Sequence, residues 1–329
     1  MTRHLRKATR FTRINVTGRF RMSAFFRFRI KKTRNNFLWL LLHIAIESCM
    51  ALHSFPSIYA SGVNTASPPM RIASGTVASD EILWSILSKA GKTEKLQAVS
   101  TLSDSGDVSH LTPWVKTIPG RVGGSPEHIL SVKPDLVIMA SFNRPELIKN
   151  IQSLGMSVWI MQEVRSFITL KDRIRQLGEL IHERPAAEMV ISEFEAELAV
   201  IRKKFREPPA RVIGLNPDRT VWGSETLFDD ILSAAGGQNI LRSHGIKGWP
   251  RISSEFLAAL SPDWVVMSAE NDARKQAATE ALIRSWPETR SWPALQKNQI
   301  IFIPAKDLHA VSPWLISAVK AISNRLNQS

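Results

Sequence analysis

The sequence predicts an α/β protein of two similar lobes, each with a parallel sheet flanked by helices, joined by one long bridging helix. Three observations support this fold class. The 329-residue chain has an ordinary globular composition, with 44% hydrophobic and 22% charged residues. Segments of its first half recur in its second half, and a long amphipathic segment at 185–207 separates the two. We therefore expect an N-terminal lobe at 71–184 and a C-terminal lobe at 208–329, each large enough for its own core.

The N-terminus has the pattern of an export signal. Residues 1–36 contain 12 of the 43 Lys and Arg residues and no Asp or Glu. The largely apolar run Phe37–Ile46 follows, and it is too short to span a bilayer, which takes roughly 20 residues. A basic segment, a short apolar run and then small residues are typical of a secretory signal peptide. We assign residues 1–60 to a basic leader and signal peptide.

Several alternatives for this leader stay open. Cleavage after Ala51 or after Ala60 fits the small residues, and a start at Met22 would shorten the basic segment. The competing interpretations are a membrane anchor and a lipid attached to Cys49. Because Cys49 is the single cysteine, the exported body would contain none, which suits an oxidising periplasm. Residues 61–70 are expected to form a flexible lead-in.

The charge balance of the remaining chain argues against a nucleic-acid partner. Residues 37–329 contain 31 basic residues and all 29 acidic ones, so the basic excess belongs to the leader. A nucleic-acid-binding domain would concentrate positive charge in its folded part. We therefore expect no nucleic-acid binding.

Two internal matches define the repeat. Ile86–Gly91 recurs as Ile231–Gly236. Each match closes a segment that predicts a helix, with Ser79 or Ser224 near its N-cap and a glycine just past its C-terminal end.

The second match pairs Glu127–Met139 with Glu255–Met267, in which Glu, Pro, Asp, Val and Met coincide at an offset of 128. Each copy predicts a short helix, a Pro-Asp turn and a buried strand. Each half also opens with a strand-like run after Arg71 or Arg211. Strands that alternate with helices indicate parallel sheets covered by helices.

The segment at 185–207 predicts the bridging helix. Pro185 suits a first helical position, and Pro208 ends the pattern. Its length corresponds to about 30 Å, enough to connect two lobes. Its apolar residues recur at spacings of three and four, at positions Ala187, Ile191, Phe194, Leu198, Ile201 and Phe205.

Together these features resemble the periplasmic binding proteins of iron-siderophore, haem and cobalamin ABC importers, over about residues 70–328. The resemblance implies a helical-backbone binding protein, a periplasmic location, no enzymatic activity, a permease partner in the inner membrane and a monomeric state. The segments that carry it are Val122–Met139, Trp222–Leu232, Gly236–Ile240 and Trp249–Glu255.

The ligand is expected between the lobes. In parallel α/β sheets ligands bind beyond the carboxyl ends of the strands, and two facing lobes place those loops around one cleft. The three aromatic candidates offer flat apolar faces, the arginine can meet a carboxylate or phosphate, and the glycines permit close backbone approach. The alternatives are core packing, a solvated charge and ordinary turns. The predicted ligand-binding residues are Gly75, Thr76, Val77, Gly123, Gly124, Phe142, Arg144, Trp222, Gly223, Trp249 and His309.

No resident metal or covalently bound cofactor is expected. The histidines after the leader lack the pairwise spacing of a metal site. His309 lies in a predicted cleft loop and is a candidate ligand for haem iron. The single tyrosine, Tyr59, lies near the signal, which excludes a tyrosine ligand in the lobes.

Glu127 and Glu255 occupy equivalent positions of the repeat, one in each lobe. The resemblance implies that both dock onto arginines of the permease, where paired charges would orient the complex. The alternative is a solvent-exposed carboxylate at a helix start, stabilised by the helix dipole.

Two loops differ from the resembled family. The first loop there is Ser-Pro-rich before a Thr-Glu pair, whereas here it is Gly75–Glu81; the last loop there often has Arg after Ser-Pro, whereas here it is Ser312–Trp314. Both loops are expected to touch ligand, so a corrinoid and a ferric siderophore both remain candidates, with haem as the alternative. Two other functions are alternatives, an exported enzyme on a similar two-lobed scaffold and a signalling module with the same fold. The absence of common enzyme motifs argues against the enzyme.

Overall fold

The computed structural model describes residues 67–123, 126–205, 207–269 and 272–327. Most of the predicted leader and lead-in therefore lies outside the described residues. The strands are β1 (Ile72–Ser74), β2 (Leu96–Ser100), β3 (Gly120–Val122), β4 (Leu136–Ala140), β5 (Ser157–Met161), β6 (Ala210–Gly214), β7 (Gly237–Asn239), β8 (Trp264–Ala269) and β9 (Ile300–Pro304). The α-helices are α1 (Val77–Ala90), α2 (Pro126–Ser131), α3 (Pro145–Ser153), α4 (Phe167–Leu180), α5 (Arg184–Arg202), α6 (Leu227–Ala234), α7 (Ser254–Ala258), α8 (Ala273–Ser285), α9 (Pro293–Gln296), α10 (Ala305–Leu308) and α11 (Ile316–Leu326).

The two halves of the chain form separate parallel sheets with the same strand order. The first sheet runs β3-β2-β1-β4-β5 and the second runs β7-β6-β8-β9, and every strand pair in them is parallel. When β1 is matched with β6, β2 corresponds to β7, β4 to β8 and β5 to β9. The sequence repeat is therefore an architectural repeat, and the predicted fold class is confirmed.

The Pro-Asp turns of the repeat join neighbouring strands. Asp135, just before β4, accepts hydrogen bonds from the backbone N–H of Met70 (2.9 Å) and Arg71 (3.1 Å) at the start of β1. Asp263, just before β8, accepts from the backbone N–H of Arg211 (2.9 Å) and from its guanidinium Nη2 (2.9 Å) at the start of β6. The aspartate is repeated because each lobe fastens its two central strands in the same way.

The repeated helices begin close to the serines that the sequence predicts near their N-caps. Thr76 caps α1 and accepts from the backbone N–H of Ser79, while Thr226 caps α6. Ser79 therefore lies in the first turn of α1 and Ser224 lies two residues before the cap of α6, so each serine is near the N-cap as predicted but is not the capping residue. Threonine provides the same capping hydroxyl as serine, and Gly91 does end α1 in the left-handed conformation with φ of 65°.

The bridging helix α5 packs between the two lobes and shares one apolar core with both. It contacts α1 and α4 on one side and α6 and α11 on the other. One cluster of buried side chains continues from the first lobe across α5 into the second, and two further clusters fill the opposite faces of the sheets. The helix ends at Arg202, before the residue 207 that the sequence predicts. Among the described residues, no helix has the length and apolar character required to cross a bilayer.

Candidate ligand-binding site

A cavity of about 700 Å³ lies at the carboxyl ends of strands from both sheets. This volume falls within the range of about 300–1,000 Å³ that is typical of small-molecule sites. Segments that follow β1, β2, β4 and β5 contribute from the first lobe, and segments after β6, β7 and β9 contribute from the second. The lining consists of residues 75–78, 102, 107–108, 140–143, 161–164, 222, 227–228, 249, 305 and 308–311.

The cavity brings together most of the residues that the sequence predicts for ligand binding. Gly123, Arg144 and Gly223 do not line it, and Gly124 lies outside the described residues. The predicted residues that do line it are Gly75, Thr76, Val77, Phe142, Trp222, Trp249 and His309. Their part in binding stays a prediction.

Each lobe contributes one exposed aromatic side chain to the cavity wall. Phe142, after β4, is 78% exposed, and Trp249, in the second lobe, is 51% exposed. Exposed large apolar side chains in a concave site are typical of surfaces that a ligand covers. Trp222 is only 3% exposed; its ring packs edge-on against Phe228, with centroids 4.8 Å apart. Trp222 therefore supports the wall from behind.

His309 places an imidazole on the cavity wall, next to Trp222. The two rings are perpendicular, with centroids 5.7 Å apart. The side chain is open to the cavity, yet the surrounding walls reduce its hydration and lower the pKa of the imidazole below its usual value. A neutral imidazole nitrogen can donate a lone pair to a metal centre.

Two of the predicted glycines are explained by packing within the protein. A Cβ at Gly75 would lie 2.6 Å from Sδ of Met139, and a Cβ at Gly223 would lie 2.5 Å from the backbone oxygen of Ile246. Real Cβ atoms do not approach so closely. Gly223 therefore requires glycine whether or not a ligand is bound, whereas at Gly75 the side chain of Met139 would have to shift.

The sequence did not predict several parts of the wall. Leu102, Asp107 and Val108 lie beyond β2, residues 161–164 comprise the last residue of β5 and the loop after it, and residues 227–228 begin α6. The apolar run of β5 was a usable signal, because its loop lies at the same sheet edge as the loops that were predicted.

Buried polar contacts join the lobes beside the cavity. Glu81 of α1 is 1% exposed; its carboxylate accepts from the Ser312 hydroxyl of the second lobe (2.6 Å) and from the backbone N–H of His110 (2.9 Å). Burial raises the pKa of Glu81 above its usual value. Nε2 of His110 lies 3.1 Å from Oδ1 of Asp307, which is also in the second lobe. The lobes are thus connected by side chains as well as by α5.

Glu127 and Glu255 occupy equivalent places in the two lobes. Each is the second residue of its short helix, α2 or α7, and each side chain is exposed. The helices precede the matched strands β4 and β8. Hydrogen bonds from its own backbone N–H and from Ser253 lower the pKa of Glu255. No cluster of three or more His, Cys, Asp or Glu side chains that could hold a metal ion occurs in the described part of the chain.

Comparisons with known proteins place this arrangement in a family. A family model for periplasmic binding proteins matches residues 72–306. A Bacillus subtilis relative, the uncharacterized ABC transporter substrate-binding lipoprotein YvrC, is 22% identical over 217 residues, which span 63% of this chain and 66% of the relative.

Three solved structures share the fold. A possible iron-binding protein of Staphylococcus epidermidis is 19% identical with a TM-score of 0.66, over 79% of this chain and 99% of its own. A periplasmic heme-binding protein of Pseudomonas aeruginosa is 22% identical with a TM-score of 0.63, over 79% and 94%. The periplasmic vitamin B12-binding protein BtuF of Vibrio cholerae is 22% identical with a TM-score of 0.60, over 79% and 97%. The chain belongs to the periplasmic binding protein family.

Proposed function

We propose that this protein is a periplasmic receptor that binds a metal chelate, either a corrinoid or a ferric siderophore, and delivers it to the permease of an ABC importer. The observation that carries the proposal is the cavity of about 700 Å³ between the lobes. Its wall has an exposed aromatic side chain from each lobe, Phe142 and Trp249, which suits a bulky organic ligand better than a bare ion. The family and the names of its relatives support the same class of cargo.

Haem is the second candidate, and one observation favours it. The imidazole of His309 is open to the cavity and its reduced hydration lowers its pKa, which favours the neutral form, so it could act as an axial ligand to haem iron. A haem complex of this kind would show the Soret and visible bands of a histidine-ligated iron. Substitution His309→Ala would then remove the bands that arise from coordination of the iron by histidine.

The first test measures retained colour. The purified protein is incubated with cyanocobalamin and desalted, and the visible spectrum of the protein fraction is recorded. Stoichiometric colour supports a corrinoid receptor. Without it, ferric siderophores and then haemin are tested in the same way, and retention of none of them overturns the proposal. Trp249→Ala should weaken retention, whereas Trp114→Ala, an exposed tryptophan that does not line this cavity, is the matched control.

We propose export through the leader at residues 1–60, with removal of the signal and a monomeric mature protein. The basic segment and apolar run of the sequence support this. Mass spectrometry of the mature protein distinguishes cleavage after Ala51, cleavage after Ala60 and a lipid on Cys49. Size-exclusion chromatography with light scattering measures the oligomeric state.

Glu127 and Glu255 are proposed to dock the loaded receptor onto arginines of the permease. Their equivalent, exposed positions in the two lobes support it. The double variant Glu127→Lys and Glu255→Lys should bind ligand normally and fail in cellular uptake, because the paired charges orient the complex. Loss of ligand binding would contradict the assignment. Glu146→Lys is the matched control, since Glu146 is also exposed and is also the second residue of a helix.

A further inference from the structure

We infer that the cavity selects chelates without negative charge, so that the cargo is a neutral or cationic corrinoid or a hydroxamate-type ferric siderophore. This inference rests on the proposed function and narrows it. It concerns the charge of the ligand, which neither the family nor the names of its relatives determine.

The charges of the cavity wall carry the inference. Among the described lining residues, those with ionisable side chains are Asp107, Glu163 and His309, and no lysine or arginine is present. Both Asp107 and Glu163 have exposed side chains. An anionic ligand would therefore meet carboxylates, apolar groups and a few neutral polar side chains, without a basic side chain on the wall. The neutral polar side chains are Thr76, Ser141, Asn143 and Gln162.

Three basic residues directly follow lining residues in the sequence, yet none of them lines the cavity. Arg144 occupies the N-cap of α3 with an exposed side chain. The guanidinium of Arg165 lies 2.7 Å from the carboxylate of Glu163. Lys306 lines a neighbouring groove with His110 and Trp314. The chain thus places its nearby positive charges outside the site.

Two further groups on the wall supply little positive charge. The imidazole of His309 lies beside the Trp222 ring, with centroids 5.7 Å apart, and unlike Lys or Arg it carries no permanent positive charge. The first turn of α1 lines the cavity at residues 76–78, and its free N–H groups carry a partial positive charge. The hydroxyl of Thr76 already accepts a hydrogen bond from the Ser79 N–H (3.3 Å). One helix end attracts an anion more weakly than a basic side chain would.

The wall should select against anionic ligands because an anion loses hydration when it enters the cavity. A carboxylate that moves from water into an apolar cavity loses hydration and needs an ion pair or several hydrogen bonds in return. The propionates of haem and the carboxylate or catecholate groups of anionic siderophores would find no ion-pair partner among the described lining residues, only neutral hydrogen-bond donors. The carboxylate of Asp107 would add repulsion, whereas that of Glu163 is already paired with Arg165. Neutral amides and hydroxamates carry no comparable cost.

The test compares ligands that share one scaffold and differ in charge. Ferrioxamine B has a cationic amine outside its ferric centre; acetylation makes that end neutral, and succinylation makes it anionic. Cyanocobalamin is compared in parallel with its monocarboxylate, in which one side-chain amide is hydrolysed. Dissociation constants are measured by quenching of tryptophan fluorescence. For the scaffold that binds, the anionic form should bind at least about tenfold more weakly than its neutral form.

A substitution in the cavity wall tests the same charge effect by changing the protein and not the ligand. Val108 lines the cavity and is 43% exposed, so a longer side chain fits there without entering the core. Val108→Lys should improve binding of the anionic form by about tenfold relative to Val108→Gln. The glutamine variant has a similar length without the charge, so the difference between the two isolates the charge.

The outcomes separate this inference from the proposed function. Tight binding of the anionic form, equal to or better than the neutral form, overturns charge selection and leaves the receptor function standing. If Arg144→Ala then weakens binding of the anionic form, the side chain of Arg144 is the cation that pairs with the ligand. Charge selection is overturned in that case because a basic side chain reaches the site. Failure of every corrinoid, siderophore and haem ligand overturns the proposed function and this inference together.

Discussion

At the scale of single residues, Gly75 and Gly223 have a packing role that could not be inferred from their positions in predicted cleft loops. Sequence reasoning placed both in a ligand site because glycine allows a ligand to approach the backbone. The structure shows that the protein itself fills the space, with Met139 against Gly75 and Ile246 against Gly223. A turn glycine and a packing glycine have the same sequence signature, so only coordinates distinguish them.

Gly223→Ala tests this packing role. The new Cβ would meet the Ile246 backbone oxygen at 2.5 Å, and backbone cannot move aside as a flexible side chain can. We expect the free energy of unfolding to fall by about 1–3 kcal/mol, measured by urea denaturation. Gly123→Ala is the matched control, because its Cβ would make only ordinary contacts at 3.5 Å and beyond. Equal effects of the two changes would refute the explanation.

Asp80 is a fully buried acid that the sequence did not single out. One carboxylate oxygen, Oδ2, accepts from the Ser100 N–H (2.8 Å) and the Ser103 hydroxyl (2.7 Å), and Oδ1 has no hydrogen-bond partner. Burial raises the pKa of Asp80 to about 8. The carboxyl is therefore protonated in the folded protein near pH 7, where the unfolded chain has it ionised.

The consequence is a pH-dependent stability. Between about pH 4 and about pH 8 the folded state binds one proton more than the unfolded state at Asp80, so this group lowers stability as the pH rises. Asp80→Asn replaces the carboxyl with an amide that does not titrate in this interval. Relative to the wild type, the variant should gain up to about 1.4 kcal/mol per pH unit across that interval. Urea denaturation at pH 5 and pH 8 measures this, and parallel pH profiles would contradict it.

At the scale of elements, the sequence predicted the repeated strands because their signals are local. A Pro-Asp turn before an apolar run marks the starts of both β4 and β8. The hydrogen bonds that make the aspartate necessary are not local: Asp135 bonds to residue 71 and Asp263 to Arg211, far along the chain. The wall segments after β2 and β5 were missed for a similar reason, since they join the site only through the order of strands in the sheet.

The two aspartates should differ in their contribution to stability. Asp263 bonds to the guanidinium of Arg211 as well as to its backbone, and this charge-assisted contact lowers the pKa of Asp263 despite partial burial. Asp135 accepts from backbone N–H groups at Met70 and Arg71. Asp263→Ala should therefore destabilise by about 1–2 kcal/mol, and Asp135→Ala by less, in thermal or urea unfolding. The reverse order would contradict this account.

The Arg211 contact also has a pH dependence of definite sign. Because the folded-state pKa of Asp263 lies below its unfolded value, its stabilisation is present above that unfolded value and is lost as the pH falls through the folded one. This trend is opposite to that of Asp80. The chain therefore combines carboxyl groups that favour opposite ends of the pH scale.

At the scale of the molecule, the lobes share one apolar core around α5. The sequence predicted the connecting helix from its periodicity, and a single stiff connection permits only modest hinge motion. The structure adds the buried Glu81–Ser312 hydrogen bond and the contact of His110 with Asp307. Neither could be foreseen, because Glu81 and Ser312 are 231 residues apart. Large rotation of the lobes would expose the shared core, so we expect ligand binding to move them little.

Ser312→Ala tests how far this cross-lobe bond holds the lobes together. The substitution removes the donor at 2.6 Å from Glu81 and leaves a buried carboxyl oxygen with one partner fewer, which should cost about 1–3 kcal/mol of unfolding free energy. Hydrogen exchange should also accelerate at residues 312–315 and in α1, because both sides of the lobe contact loosen. Ser243→Ala is the control, since that hydroxyl bonds to Ile240 within the second lobe (2.9 Å). If exchange rises equally in both variants, the lobes are held by their shared apolar core and this hydrogen bond adds little.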